Sequence, residues 1–211
     1  CFIVYPQITK AYEEKDKEKF NALLHFNINI LIIIFVPLSV MIIYFNQFIS
    51  SIFIGDSFTI FSSQLIPLFS IMFLLWGVKI YHFDYYFQLK EKTQYPMMIL
   101  GLGSVLNIGL NILLIPYYGI AGAAFATIFV YFIIFTLSVI VSNRLIKINF
   151  KMAILAKVFL FLFVTVVVVN IPLISGLNDI IKVFIFLIIY SILTYKYNSH
   201  EIKPHFMSVY H

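Results

Sequence analysis

The sequence predicts an all-α fold, a polytopic transmembrane bundle of about six helices. Of its 211 residues, 62% are hydrophobic and only 11% are charged, whereas soluble domains carry about 25% charged residues. Several apolar runs, including 28–45 and 152–169, reach the length that lets a helix cross about 30 Å of hydrocarbon. Helices satisfy their own backbone hydrogen bonds in lipid, and the alternating pattern of barrel strands is missing from the sequence.

Two short segments precede the first complete span. Residues 1–9 predict the end of a preceding transmembrane helix, broken at Pro6, and residues 10–23 predict a charged cytoplasmic loop. Because the chain opens at Cys1 with neither an initiator Met nor a basic n-region, we expect a fragment. The alternative is a lipoprotein that begins at its lipidated cysteine, although no lipobox is visible and six spans follow. The single cysteine excludes an internal disulfide and a multi-cysteine metal site.

Six spans are predicted from the apolar runs and the breaks between them. Four lie in region 24–142 and two additional helices lie in region 143–195, followed by a cytoplasmic tail at 196–211. Pro37 and Pro67 fall inside the first two spans, where a packed bundle tolerates a kink. The predicted spans are 24–47, 60–83, 95–115, 119–142, 152–171 and 180–195.

Lysine and arginine alternate between the gaps that separate these spans. Their number is four in 10–19, none in 48–59, two in 85–95, none in 116–119, three in 143–151, none in 171–179 and two in the tail. By the positive-inside rule, this alternation places the charged gaps and the tail in the cytoplasm. Because the basic residues are spread over separate gaps, the net charge of +5 does not indicate nucleic-acid binding.

Small residues at the start of the fourth span predict a close antiparallel hairpin with the third. After a turn from Pro116 to Gly119, the residues Gly122, Ala123 and Ala126 fall at spacings that let two helix backbones approach in lipid. The pattern indicates helix packing and identifies no function by itself.

Two amides one helical turn apart, Asn107 and Asn111, project from one face of the third span. Amides inside a bilayer need partners, which leaves both a structural bond to a neighbouring helix and a substrate contact open. Glycines at 101, 103 and 109 thin this span, so we expect it in the bundle interior rather than facing lipid.

A cluster of ionisable residues, Lys79, His82 and Asp84, lies near the end of the second span, where Lys79 and His82 share a helix face at i, i+3. Such groups inside a span favour a functional role, although Lys79 could instead snorkel to the cytoplasmic headgroups. We take this cluster and the two asparagines as candidate substrate-binding residues. The sequence shows no nucleotide loop, paired-His zinc motif or nucleophile elbow, so we predict no enzyme, catalytic residue, metal or cofactor.

The segment 107–127 resembles the signature of the polysaccharide biosynthesis flippases, a family that includes O-antigen flippases. In that signature an Asn-rich helix ends in Leu-Ile-Pro, and the next helix starts with Gly-Ile-x-Gly-Ala-Ala. Weaker matches in the same order are Tyr5-Pro-Gln-Ile-Thr9 and the turn Ile52-Phe-Ile-Gly55. The resemblance aligns the six spans with helices nine to fourteen and implies a missing N-terminal lobe of about eight helices.

This resemblance implies the C-terminal part of a two-lobed transporter of the multidrug/oligosaccharidyl-lipid/polysaccharide exporter superfamily, in the bacterial inner (cytoplasmic) membrane. The superfamily also holds multidrug extruders and the lipid II flippase. The implied cargo is an undecaprenyl-pyrophosphate-linked oligosaccharide, an O-antigen, capsule or exopolysaccharide unit, moved to the outer leaflet by alternating access. The implied partners are this polyprenyl-linked oligosaccharide, the lipid bilayer and the N-terminal lobe of the same protein.

The resemblance also implies roles for particular parts of the chain. A pyrophosphate crosses hydrocarbon only in a polar, preferably cationic cavity, and Lys79 is the candidate cation. In the related lipid II flippases, two extra helices provide a groove for the polyprenyl tail. Spans five and six resemble these helices, so they are expected to contact lipid. Two alternatives remain, a multidrug extruder, for which Asp84 would be the acidic residue, and a glycan polymerase or ligase, for which the outer gaps are short.

Overall fold

Helices make up all the regular secondary structure in residues 4–53, 59–146 and 152–201, the part of the chain that the computed structural model describes. Each of the six predicted spans contains a helix. In chain order the elements are α1 (Val4–Glu13), α2 (Lys17–Tyr44), α3 (Asn46–Phe53), α4 (Thr59–Val78), a π-helical turn (Lys79–Phe83), α5 (Asp84–Leu89), α6 (Gln94–Leu145), α7 (Met152–Val169), α8 (Pro172–Ser175) and α9 (Asp179–Glu201).

Three continuous helical stretches in the described residues are long and apolar enough to cross a membrane. They are Lys17–Tyr44, Ser62–Leu89 and Gln94–Leu145, and an 18-residue stretch in each has a mean hydropathy of 2.5, 1.6 and 2.5, respectively. The shorter apolar stretch Ile154–Val169 belongs to α7. The chain is therefore an all-α, multi-pass membrane protein, as its composition predicts.

The long helix α6 folds back on itself at Gly119, whose φ of 54° and ψ of −134° are not helical. Asn107 Nδ2 lies 3.4 Å from Thr127 Oγ1 although the two residues are 20 positions apart, a separation of about 30 Å in a straight helix. The two halves, 94–118 (α6a) and 120–145 (α6b), are thus antiparallel neighbours. This confirms the predicted hairpin, with α6a helical through Pro116 and the reversal confined to Gly119.

Glycine residues, which have no side chain, allow the two halves of the hairpin to approach closely. A Cβ added to Gly122 would lie 2.5 Å from the carbonyl oxygen of Leu114, and one added to Gly103 would lie 2.4 Å from Ile134 Cδ1. Ala126 is fully buried, whereas Ala123 is half-buried. Gly122 and Ala126 therefore lie where α6a and α6b are in close contact, in keeping with the predicted packing role of the small residues.

The expectation that the third span lies in the bundle interior is wrong. The face of α6a that points away from α6b carries exposed apolar side chains, including Met97, Val105 and Ile112. Of the three glycines on this helix only Gly103 meets a neighbour, since a Cβ at Gly101 or Gly109 would have nothing within 4 Å. Glycine content alone therefore did not indicate burial here.

Helix α2 is the element around which the described bundle is organised. One face packs against α7 and α9 in an apolar cluster that includes Ile32, Val158 and Phe186. Its N-terminal part packs with α1 and with the π turn and α5 through residues such as Leu23 and Tyr86. A third apolar cluster joins α5 to the α6 hairpin.

Several element boundaries differ from the sequence-based expectation. Pro6 lies inside α1, which continues to Glu13, so the predicted break at this proline is wrong. The charged segment after it is a short turn, with Lys15 at φ 58° and Asp16 capping α2 through a 3.0 Å bond from the Lys19 amide. α9 extends to Glu201, into the predicted tail, while 202–211 lie outside the described residues.

Three of the gaps predicted to be cytoplasmic meet at one end of the bundle. Residues from the α1–α2 turn, from the end of α5 and from the end of α6 line one cavity of about 560 Å³. They include Lys15, Lys17, Lys90 and Ile146, and Lys90 Nζ lies 5.1 Å from the centre of the Tyr12 ring. The positively charged gaps therefore share one side of the bundle, as the alternation of charge requires.

Candidate functional site

A π-helical turn at Lys79–Phe83 interrupts the second span between α4 and α5. In an α-helix, residues five positions apart point about 140° away from each other. The wider π turn brings Lys79 and Asp84 together, and Lys79 Nζ donates to both carboxylate oxygens at 3.0 and 2.8 Å. π turns of this kind are rare and frequently occur at functional sites.

The ammonium group of Lys79 is buried inside the bundle. Its side chain is only 1% exposed, against 17% for Asp84, and Nζ also lies 4.9 Å from the centre of the Trp76 ring. A buried ammonium is costly unless a counter-charge and hydrogen bonds compensate, and the carboxylate and the indole face supply both. Lys79 therefore does not snorkel to the headgroups.

The imidazole of His82, also buried, belongs to a different polar group from Lys79. Nε2 lies 2.9 Å from the Tyr86 hydroxyl, and Nδ1 lies 3.3 Å from Asn27 Nδ2. The expectation that Lys79 and His82 act on one face is not met, because the i, i+3 spacing assumes an α-helix and the π turn changes the register. Lys79 instead pairs with the residue at i+5.

Asn27 of α2 is the residue of this site that sequence reasoning missed. Its Nδ2 donates to the Tyr81 carbonyl at 2.7 Å, and its side chain is 1% exposed. Within the described residues Asn27 Oδ1 has no hydrogen-bond partner. A π turn disturbs the regular hydrogen-bond ladder of a helix, and Asn27 supplies a donor to one of its carbonyls from the neighbouring span. An isolated amide in the apolar run of α2 was the available signal.

The two asparagines of the third span form a third polar group, which lies within the α6 hairpin. Asn111 Nδ2 donates to Asn107 Oδ1 at 2.8 Å, Asn107 Nδ2 lies 3.4 Å from Thr127 Oγ1, and Thr127 Oγ1 donates to the Ala123 carbonyl at 2.9 Å. Asn111 Oδ1 is buried without a partner among the described residues. No hydrogen bond found in the described chain connects this group to the one around Lys79.

The arrangement offers buried charge and hydrogen-bonding groups but no assembled reaction centre. Among the described residues, no three side chains of His, Cys, Asp or Glu come together as a metal site would require. The ion pair is neutral overall and lies near the end of its span that the charge alternation predicts to be cytoplasmic, since α5 leads into the turn that carries Lys90 and Lys92. Such a group can change partners when a charged molecule arrives, which suits binding and transport.

Comparison with known proteins gave a family match and one informative relative. The family model described as "Lipid II flippase MurJ" matches residues 1–193. A "Probable lipid II flippase MurJ" from Borreliella burgdorferi is 27% identical over 129 residues, which are 59% of this chain and 25% of that protein. The aligned part thus spans about a quarter of the relative. No solved structure matches.

Proposed function

The chain belongs to the lipid II flippase MurJ family, and we propose that the complete protein moves a polyprenyl-linked precursor from the cytoplasmic to the outer leaflet of the bacterial inner membrane. The family match over residues 1–193 carries this proposal. It places the chain in the superfamily that the sequence predicted. It does not support the narrower assignment to the O-antigen and polysaccharide flippases.

The physical problem of such a transporter is the polar head group of its cargo. A pyrophosphate and its sugars lose their hydration in hydrocarbon, so polar partners must line the path. The described spans contain three groups that supply such partners. They are centred on Lys79 and Asp84, on His82 and Asn27, and on Asn107 and Asn111. Their assignment to substrate binding is part of the proposal.

Lys79 remains the proposed cation for the pyrophosphate, with Asp84 as its partner in the absence of cargo. The 2.8 Å pair gives the buried lysine a counter-charge inside the bundle. A phosphate oxygen accepts from an ammonium as a carboxylate does, so cargo can replace Asp84 at Lys79 without leaving the ammonium unpaired. We propose that this exchange, on the cytoplasmic side, is how the head group is first bound.

The cargo we propose is a peptidoglycan precursor, in keeping with the family's description as lipid II flippases. A second candidate is the lipid-linked oligosaccharide of a polysaccharide pathway, which the resemblance of residues 107–127 favours. The two share the polyprenyl-linked carrier and differ in the sugars. Nothing in the described polar groups selects one set of sugars over the other.

Two other classes receive less support. A multidrug extruder needs a carboxylate available for a cationic drug, but Asp84 is already neutralised by Lys79. A glycan polymerase or ligase needs a large catalytic loop outside the membrane. The described connection between α7 and α9 is only the short segment around α8.

Complementation with the complete gene distinguishes the two cargoes. The gene is expressed in a bacterium depleted of its essential lipid II flippase and, separately, in one that lacks a polysaccharide flippase. We expect rescue of growth in the first strain and no restored glycan export in the second. Rescue of only the second strain would assign the polysaccharide cargo, and rescue of neither at confirmed membrane levels would refute the proposed function.

The helices α7 and α9 are proposed to contact the polyprenyl tail. One face of this pair packs on α2, while the other carries exposed apolar side chains such as Phe159, Phe163, Phe184 and Ile188. Photoreactive polyprenyl analogues should label these helices in membranes that contain the complete protein. Labelling confined to α2, α4 and α6 would argue against this role.

A further inference from the structure

Pro37 breaks the hydrogen-bond ladder of α2 in the middle of a membrane span. The helix nevertheless continues from Lys17 to Tyr44. A residue at position 37 would normally donate its N–H to the carbonyl of Ile33, but proline has no N–H and its ring presses against that carbonyl. In lipid no water is available to replace the lost donor.

A side chain from α9 supplies the missing donor. The Tyr190 hydroxyl donates to the Ile33 carbonyl at 2.9 Å, across 157 positions of sequence. Tyr190 is only 7% exposed and belongs to the apolar cluster that joins α2 to α7 and α9. The bond therefore lies where an unpaired carbonyl would be costly.

We propose that Tyr190 is a positioning residue, which fixes the geometry of α2 at Pro37 by donating to the carbonyl that Pro37 leaves without its helical donor. Through this hydrogen bond, helix α9 stabilises the conformation of α2 around Pro37. A tyrosine suits this position because its hydroxyl reaches the backbone while its ring fills the apolar contact.

The geometry of α2 at Pro37 matters because the same helix carries Asn27. That side chain donates to Tyr81 in the π turn that pairs Lys79 with Asp84. Both breaks in regular helical bonding, at Pro37 and at the π turn, are thus compensated by a side chain from another helix. A change in the geometry of α2 at Pro37 would move Asn27 relative to the π turn, and this is the route by which α9 would influence the candidate site.

A double-mutant cycle tests the contact directly. Tyr190→Phe removes the hydroxyl and keeps the ring, and in the native background it leaves the Ile33 carbonyl unpaired. Pro37→Ala restores an N–H that can donate to Ile33, so in that background the hydroxyl is redundant. Tyr195→Phe is the matched control, because Tyr195 lies on the same helix and is 76% exposed.

Two measurements on the purified complete protein report the result without any substrate. One is the thermal midpoint of unfolding in detergent, and the other is the distance between spin labels at Asn21 and Tyr44, which flank Pro37 on α2 and are exposed. We expect Tyr190→Phe to lower the midpoint by several degrees and to shift or broaden the distance. In the Pro37→Ala background the same substitution should change neither, and Tyr195→Phe should have no effect in either background.

The proposal is overturned if Tyr190→Phe has no effect, or if its effect is equally large with and without Pro37. If Tyr190→Phe does not fold, recovery of folded protein by added Pro37→Ala supports the proposal, and failure to recover overturns it. The importance of this contact for transport rests on the proposed function. Precursor export, compared at matched membrane levels of the variants, tests this importance separately from the contact itself. Export by Tyr190→Phe should fall several-fold below that of Tyr195→Phe, and equal export would remove the positioning role.

Discussion

At the scale of single residues, the pairing of Lys79 with Asp84 changes what a substitution at Lys79 means. The sequence alone suggests that replacing Lys79 with a neutral residue leaves no unpaired buried charge. The structure shows that Lys79→Met would leave Asp84 without its partner, and breaking a buried pair costs about 3–5 kcal/mol. A single substitution therefore confounds loss of folding with loss of function.

The neutral double variant Lys79→Met/Asp84→Asn separates these two effects. It removes both charges together, so we expect more folded protein in the membrane than for Lys79→Met alone. If Lys79 binds the pyrophosphate, precursor export by the double variant should remain low at matched protein levels. Normal export would make the ion pair purely structural.

Asn27 gives a second prediction at this scale. Asn27→Ala removes the donor to the Tyr81 carbonyl and the contact with His82, so we expect a loss of about 1–3 kcal/mol in unfolding free energy. Asn21→Ala makes the same chemical change at an exposed position of α2 and should be near neutral. Reversible unfolding in mixed micelles measures the unfolding free energy of both variants. Equal stability of the two would contradict the stabilising role of the bond from Asn27 to the Tyr81 carbonyl.

Sequence reasoning found the ionisable residues of the site but not their arrangement. Lys79, His82 and Asp84 attract attention because charge is rare in an apolar span. Their partners could not be read from spacing, since the π turn shifts the register by which helical neighbours are counted. Asn27 was missed because a single amide in an apolar run does not reveal its partner, and the Tyr81 carbonyl to which it donates lies on another span.

At the scale of elements, the α6 hairpin depends on glycines whose environments differ sharply. Gly122→Ala would place a Cβ 2.5 Å from the Leu114 carbonyl oxygen, and such overpacking costs about 1–3 kcal/mol. Gly109→Ala meets nothing within 4 Å and should be neutral, or stabilising by up to about 1 kcal/mol.

Thermal unfolding of the two variants in detergent checks this difference. A lower midpoint for Gly122→Ala and an unchanged or higher one for Gly109→Ala is the expected pair of results. The hairpin contact would have to be revised if Gly122→Ala were as stable as the parent protein.

The elements themselves were predictable to different degrees. The hairpin followed from Pro116, Gly119 and the small residues after them, because these features act locally. The exposure of α6a was not predicted, because its glycines were taken as a sign of burial. Glycine permits close packing without requiring it, and of the three glycines on α6a only Gly103 meets a neighbour. The extension of α9 to Glu201 was missed because polar residues end an apolar run without ending a helix.

At the scale of the whole molecule, the charge alternation predicts which ends of the helices face the cytoplasm. We expect cysteines introduced at Ser57 and Gly176 to react with an impermeant thiol reagent in intact cells, on a Cys1→Ser background. Cysteines at Lys17, Lys92 and Lys147 should react only after the membrane is opened. Gly176, Lys17 and Lys92 are all exposed, whereas Ser57 and Lys147 lie outside the described residues.

Outside labelling at position 92 would overturn this orientation. Lys17 and Lys90 line the same cavity, so their segments should respond alike. Opposite labelling of Lys17 and Lys92 would therefore contradict the arrangement of the bundle as well as its orientation.

The central claim, that the complete protein carries a lipid-linked precursor across the membrane, is tested most directly by measuring the leaflet in which the precursor resides. In spheroplasts of a strain that depends on the complete gene, radiolabelled precursor is exposed to an added impermeant enzyme that cleaves its head group. While the gene is expressed, a large fraction should be cleaved. After expression stops, total precursor should accumulate while the cleavable fraction falls. A cleavable fraction that stays constant after the protein has disappeared would contradict the claim.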